Sequence, residues 1–152
     1  YKRLDIVVEA FNWLGKTLWI SGDGPERERL QAKALPNIKF LGQVTDSERK
    51  ELFSNAKSVI VAALEDYGLV PVEANASGTP VIAYGAGGVL DTQVPGKTGV
   101  FFQRQTPESL SVALAKASET SWDYQEIRNH AVNHFSETVF FNQVEQIIDE
   151  GW

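Results

Sequence analysis

Glu65 and Glu73 flank the stretch EDYGLVPVE, where a strand-like pattern gives way to a helical one. Pro71 is typical of a first helical turn and Gly78 of a helix end, so the sequence predicts a helix over about residues 69 to 77. Glu65 then lies on the loop after the strand, and Glu73 lies in the first or second helical turn. Both carboxylates are predicted to face one crevice.

The start of that helix adds an anion-binding group between the two carboxylates. The backbone N–H groups of Gly68, Leu69 and Val70 lack partners within the helix, and such groups attract anions. Carboxylates are strong acceptors for pairs of hydroxyls. The arrangement predicts a ligand with hydroxyls at both ends and phosphates in the middle, as in a nucleotide sugar. The alternative without a ligand is a glutamate favoured near a helix N-terminus by the macrodipole, together with a solvated loop acid.

The elements that position these groups alternate between helical segments and short apolar segments rich in β-branched residues. This alternation predicts a Rossmann-like, doubly wound α/β fold with five parallel strands, followed by a long helical tail. With 152 residues, 43% of them hydrophobic, the chain is expected to form one domain over 1–152. The strands are predicted over residues 17–21, 38–41, 58–63, 80–83 and 99–102.

Glycines follow the first four predicted strands, in the segments SGDG, LGQV, EDYG and AYGAGG. In an open parallel sheet, ligands bind beyond the carboxyl ends of the strands, where glycine lets the backbone approach phosphate closely. The glycines therefore mark the expected binding edge. Each of them is also explained by a tight turn from strand to helix.

Composition excludes several classes of function. A formal net charge of -6 argues against nucleic-acid binding, which needs a concentrated basic face. The chain has no cysteine, which rules out disulfides and cysteine-ligated metals and makes the cytoplasm the default compartment. No apolar run approaches the roughly 20 residues that span a bilayer. The segment GDGPERE fails as a dinucleotide motif because Arg27 replaces its third glycine.

Two histidines and two tryptophans have residue types that could contact a ligand. His130 and His134 are spaced i, i+4, as helical metal ligands often are. No carboxylate or cysteine is clearly paired with them, so we expect a partly exposed helix surface and no metal. Trp13 and Trp19 are expected to pack against the sheet rather than to stack on a base.

Five segments together resemble a known family: KRLDIVVEAF, SGDGPERERL, IKFLGQV, EDYGLVPVEANASGTPVIAYGAGG and KTGVFF. They are similar to the C-terminal, donor-binding half of the retaining glycosyltransferases of group 1 (family 4), which have the GT-B fold. The resemblance runs in order from residue 1 to about residue 150. Its most specific part is the pair of glutamates separated by seven residues and followed by GTPVI.

The resemblance implies a role for each candidate residue. Glu65 and Lys2 are the implied catalytic residues, with Glu65 contacting hydroxyls of the transferred hexose and Lys2 the diphosphate. Glu73 would bind the ribose hydroxyls. The remaining implied contacts come from the backbone: Gly68, Leu69 and Val70 at the distal phosphate and sugar, Gly22 in a turn near that phosphate, and Gly42 to Val44 beside the nucleobase.

The implied reaction is retaining transfer of a hexose, mannose or glucose, from a UDP- or GDP-linked donor to a hydroxyl acceptor. No cofactor or metal is implied. The resemblance also implies an acceptor-binding N-terminal domain, missing here, that would bind a glycan or lipid acceptor and provide any association with a membrane. A central first strand is implied to be missing too, which would expose apolar surface and unpaired edges. Two copies of the chain could pair through the uncovered face. We expect this chain alone to bind donor weakly and to catalyse nothing.

Three positions depart from the family pattern. Tyr67 replaces the more usual phenylalanine, Asn75 stands where methionine or glutamine is common, and Leu64 stands where a small or hydroxyl residue often lies. None of them removes an assigned functional group. Two other readings stay open: a non-catalytic α/β binding or regulatory module, and another GT-B enzyme such as a synthase or an epimerase.

Overall fold

The fold alternates helices with strands. The structure is a computed structural model, and it describes residues 2–149. The strands are β1 Leu18–Ser21, β2 Ile38–Gly42, β3 Val59–Val61, β4 Val81–Tyr84 and β5 Gly99–Phe102. The helices are α1 Leu4–Leu14, α2 Arg27–Lys33, α3 Asp46–Asn55, α4 Leu69–Ala76, α5 Val89–Thr92, α6 Pro107–Glu119, α7 Tyr124–Phe135 and α8 Glu137–Asp149. The prediction of one domain over 1–152 extends beyond these residues and stays a prediction.

All five strands pair in parallel, which confirms the predicted strand direction. The order is β1-β2 in one sheet and β3-β4-β5 in another. Within residues 2–149, no backbone ladder joins β1 to β3. This interruption lies where the resemblance predicts a further central strand, and that strand stays a prediction.

Helices cover both faces of the strands, as the doubly wound prediction requires. Along β4, Ile82 packs in one buried cluster with apolar residues of α1 and α6. Its neighbours Val81 and Ala83 pack in a second cluster with Ala74 of α4 and Val89 of α5. Successive side chains of a strand point to opposite faces, so the two clusters lie on opposite sides of the sheet.

Several predicted boundaries are wrong in detail. The strand predicted over 58–63 is only Val59–Val61, and the long helical tail is three separate helices, α6 to α8. The side chains of Thr106 and Asp123 cap α6 and α7, and each cap begins a new helix. The prediction that Trp13 and Trp19 pack against the sheet is also wrong, because they are 55% and 53% exposed.

A buried polar network explains the unusual residue Asn75, whose side chain is 1% exposed. Its amide donates to the carbonyls of Thr79 at 3.0 Å and Thr98 at 3.2 Å. The amide of Gln93 donates to Asn75 Oδ1 at 2.7 Å, and the Thr98 hydroxyl donates to Gln93 Oε1 at 3.0 Å. The network ties the end of α4 to the residues around β5, and each polar group that it uses has a partner.

Replacing Asn75 by leucine is expected to lower the free energy of unfolding by about 2 to 4 kcal/mol, since buried carbonyls and an amide lose their partners. Urea titration measures this change. The matched control is Asn55→Leu at the exposed end of α3, which is expected to change stability by at most about 0.5 kcal/mol. Equal losses for the two variants would show that the buried network contributes nothing.

Candidate functional site

The loop that leaves β3 carries Glu65 and is held by two consecutive glycines after β4. Glu65 forms an isolated parallel bridge with Gly87. The Gly88 N–H donates to the Glu65 carbonyl at 2.7 Å. The backbone of Glu65 is therefore anchored to a neighbouring strand end, and its carboxylate is only 16% exposed.

Both glycines are required because a side chain at either position would clash with the backbone of the Glu65 loop. A Cβ at Gly87 would collide with the Glu65 carbonyl oxygen, and Gly87 also has a left-handed φ of 71°. A Cβ at Gly88 would lie 2.6 Å from the Tyr67 Cα, and it would collide with the Asp66 carbonyl. The sequence shows this pair as a glycine-rich turn, but it assigns the pair no role in holding Glu65.

Lys2 and Glu65, the two implied catalytic residues, are in contact. Lys2 Nζ lies 3.0 Å from Glu65 Oε1, and the two side chains are 53% and 16% exposed. An ion pair this close to solvent adds little to folding stability. Its consequence is local: it places one cation and one anion together at the carboxyl end of β3, although the two residues are far apart in sequence.

The N-terminus of α4 follows Glu65 closely. Gly68 precedes the helix in a left-handed conformation with φ 85°, and no side chain caps this end of the helix. Leu69 is 64% exposed and Val70 39% exposed. Leu69 and Val70 are therefore accessible beside the Glu65 loop, whereas Gly68 is buried.

Glu73 lies against α3 instead of joining the Lys2–Glu65 pair. Arg49 Nε is 3.5 Å from Glu73 Oε2, and Arg49 Nη2 is 3.1 Å from Asp46 Oδ1. Sequence reasoning missed Arg49, because only the packing of α3 beside α4 brings it to Glu73. The cavity at this point has a volume of about 340 Å³ and is lined by Arg49, Lys50, Phe53, Ser54, Glu73, Ala76, Ser77 and Arg128.

The backbone positions predicted near the phosphate and the nucleobase lie at the carboxyl ends of β1 and β2. The Gly22 N–H donates to the Gly42 carbonyl at 2.6 Å, so this amide is already used within the protein. Val44 is half-buried and directly precedes the Thr45 cap of α3. The guanidinium of Arg27 lies over Gly42, with Nη1 3.2 Å from the position of a Cβ there. The sequence did not single out Arg27 as a neighbour of this site.

Neither a metal site nor a membrane-spanning helix occurs within residues 2–149. The rings of His130 and His134 lie 4.8 Å apart, and His130 Nε2 is 3.3 Å from the Thr92 carbonyl. No group of three or more His, Cys, Asp or Glu side chains that could hold a metal occurs in this range. In the same range, no helix has both the length and the apolar character needed to cross a membrane.

A family comparison decides the identity of this chain. The family model of glycosyl transferases group 1 matches residues 1–134. The chain belongs to this family. Its α/β architecture is that of the Rossmann-like C-terminal domain of GT-B glycosyltransferases, so the predicted fold and family are confirmed.

Individual relatives are similar to this chain over part of their own length. Glycogen synthase of Thermus thermophilus is 32% identical over 118 residues, covering 72% of this chain and 27% of the relative. Sucrose-phosphate synthase from Thermosynechococcus elongatus has a TM-score of 0.84 at 25% identity, over 98% of this chain and 42% of that one. HepE of Anabaena in complex with UDP-glucose has a TM-score of 0.83 at 22% identity, over 99% of this chain and 46% of that one. The chain spans 32% and 27% of the first two curated relatives it matches.

Proposed function

We propose that this chain binds the donor in a retaining glycosyltransferase, which transfers a hexose from a nucleoside-diphosphate sugar to a hydroxyl acceptor. The observation that carries the proposal is the Lys2–Glu65 ion pair of 3.0 Å, formed by two residues to which the family resemblance assigns contacts with the donor. The helix α4 begins four residues after Glu65, and its N-terminus, which no side chain caps, supplies a second group for anions. HepE, which shares this fold, has been seen with UDP-glucose, and that observation supports a nucleotide-sugar donor.

The ion pair suggests how the two charges are held in place before a donor binds. Without ligand, Lys2 and Glu65 neutralise each other. With donor bound, the diphosphate replaces Glu65 as the partner of Lys2, and the Glu65 carboxylate accepts hydrogen bonds from hexose hydroxyls. Each charge thus exchanges one partner for another and neither is left unpaired, which limits the cost of binding.

Negative charge develops on the diphosphate as the bond to the sugar breaks. Lys2 and the backbone amides of Gly68, Leu69 and Val70 would stabilise that charge more strongly in the transition state than in the ground state. The proposed mechanism uses no metal and no enzyme nucleophile. A diphosphate oxygen assists attack by the acceptor on the same face of the sugar, which retains the anomeric configuration.

The proposed roles at the nucleoside end depend on α3 and on β2. Glu73 is proposed to bind the ribose hydroxyls, and Nε of Arg49 on α3 lies 3.5 Å from its carboxylate. The backbone from Gly42 to Val44 is proposed to border the base of a UDP- or GDP-linked donor, with Gly22 near the distal phosphate. Mannose or glucose is the proposed sugar, and a glycan or lipid the proposed acceptor.

Titration of the full-length protein with UDP, GDP, UDP-glucose and GDP-mannose tests the proposal. We expect saturable binding of at least one nucleoside diphosphate and its sugar, followed by slow donor hydrolysis or transfer. A non-catalytic module would ignore all four ligands, or bind without turnover. An epimerase would instead release an isomerised sugar nucleotide, which chromatography of the products detects.

The two glutamates are expected to give a crossed pattern of affinities. Glu73→Gln should weaken both the bare nucleoside diphosphate and its sugar by about 1.5 to 3 kcal/mol, because a charged hydrogen bond to the ribose is lost. Glu65→Gln should weaken the nucleotide sugar but should not weaken the bare diphosphate, since that ligand has no hexose for Glu65 to contact. Calorimetric titration of both variants with both ligands gives the four values.

The control for this experiment is Glu119→Gln at the exposed end of α6, which should leave all four affinities unchanged. If Glu65→Gln weakens the bare diphosphate as much as Glu73→Gln does, the two proposed roles are wrong.

A further inference from the structure

Arg3, the residue after Lys2, has a strained backbone. Its φ is 54° and its ψ is 36°, and within residues 2–149 it is the only non-glycine residue with positive φ. A left-handed conformation costs a residue with a Cβ roughly 1 to 2 kcal/mol. Such strain persists only where the surroundings hold it, and it is concentrated at functional sites. The contacts of Arg3 therefore show what fixes the backbone beside Lys2.

The Arg3 guanidinium is held from two sides. Toward its own helix, Nε and Nη2 donate to the two carboxylate oxygens of Asp5 at 3.1 Å and 3.2 Å. This fork lowers the pKa of the Asp5 carboxyl, chiefly through the hydrogen bond from Arg3, so the pair stays charged at neutral pH. On the other side, Nη1 donates to Gln105 Oε1 at 3.4 Å and Nη2 to the Gln105 carbonyl at 3.3 Å.

Gln105 connects the Arg3 side chain to the segment after β3 that leads to Glu65. Its Nε2 donates to the carbonyl of Ala62 at 2.8 Å. Ala62 directly follows β3 and stands three residues before Glu65, whereas Gln105 itself follows β5. One half-buried amide side chain thus contacts the residue after Lys2 and the segment that carries Glu65.

We infer that Gln105 is a positioning residue for the donor site: through Arg3 and Ala62 it sets the Lys2 ammonium against Glu65 and the incoming diphosphate. The inference rests on the proposed function for the identity of the ligand. Gln105 belongs to none of the sequence motifs, and it stands 102 positions from Arg3. The simpler alternative is a tether that supports the fold without acting on Lys2.

A double-mutant cycle in the full-length protein separates these two roles. The variants are Gln105→Ala, Lys2→Ala and the pair of substitutions together, and calorimetry measures the affinity for UDP and for GDP. Gln105→Ala is expected to weaken binding about tenfold in the unsubstituted protein, a typical size for coupling between groups of one network. In the Lys2→Ala background it should change affinity by less than about twofold, because its effect passes through Lys2.

Arg3→Gly supplies a second variant if Gln105→Ala folds poorly. Glycine adopts φ 54° without strain, so the backbone survives while the guanidinium is removed. We expect the same loss of affinity as for Gln105→Ala. The matched control is Gln103→Ala, an exposed glutamine on the same segment, which should bind UDP and GDP as the unsubstituted protein does.

The outcomes distinguish this inference from the proposed function. An equal loss from Gln105→Ala in both backgrounds, or no loss in either, overturns the positioning role alone. If the unsubstituted protein binds neither UDP nor GDP, the proposed function fails and the inference fails with it. Loss confined to the background that contains Lys2 supports both.

Discussion

Replacement of Lys2 by alanine in the full-length protein is expected to lower kcat for hexose transfer by about 100- to 1,000-fold, the usual loss when one charge-stabilising group is removed from a transition state. Lys2 Nζ lies 3.0 Å from Glu65 Oε1, so the ammonium is located beside the carboxylate that is proposed to contact the hexose. The variant leaves the developing charge of the diphosphate to the α4 amides alone. Initial rates at saturating donor measure the effect.

Two further variants show whether the loss of kcat is caused by removing the positive charge of Lys2. Lys57→Ala removes an exposed lysine just before β3, at the opposite edge of the sheet, and should leave kcat unchanged. Lys2→Arg keeps the charge but changes its shape and reach, so it should recover only part of the lost rate. A fall of less than about threefold in kcat for Lys2→Ala would remove Lys2 from the catalytic assignment.

Gly88→Ala is expected to lower kcat/KM for the donor by at least about 100-fold, because small displacements of reacting groups have effects of this size. The added Cβ would lie 2.6 Å from both the Cα and the carbonyl oxygen of Tyr67. These are backbone atoms, so the loop after β3 must move. Movement breaks the 2.7 Å hydrogen bond from Gly88 to the Glu65 carbonyl and takes the carboxylate away from Lys2.

The matched control for Gly88→Ala is Gly24→Ala. At Gly24 a Cβ would meet no atom within 4 Å, and the backbone is not in the left-handed region. Steady-state kinetics and thermal unfolding of both variants give the comparison. If Gly88→Ala keeps its donor kinetics, the glycine pair does not position Glu65, and the loop has another way to accommodate the added methyl group.

The sequence was sufficient for the elements with strong local patterns. The amphipathic segment LDIVVEAFNWL became α1 without change, and the apolar β-branched segments became five parallel strands. The family resemblance also singled out Lys2 and Glu65, and the structure brings these two residues into contact, while their catalytic roles stay predictions. The signals for these elements and for these two residues are each contained within a few consecutive residues.

The contacts that hold the site could not be read in the same way. Arg49 reaches Glu73 only because α3 packs beside α4, and helix periodicity does not say which polar residue a neighbouring helix will present. The left-handed backbone of Arg3 gives no sequence signal, because arginine has no preference for that conformation. Its partner Gln105 is distant in sequence, so only the folded chain reveals the connection.

The buried network of Asn75, Gln93 and Thr98 constrains how this domain can change during evolution. Each side chain satisfies another, so a single apolar replacement leaves a partner buried and unpaired. We therefore expect a relative with methionine at the position of Asn75 to differ from this chain at the positions of Gln93 and Thr98 as well. We expect these three positions to covary across the family, with intermediate combinations rare because they pass through a less stable domain.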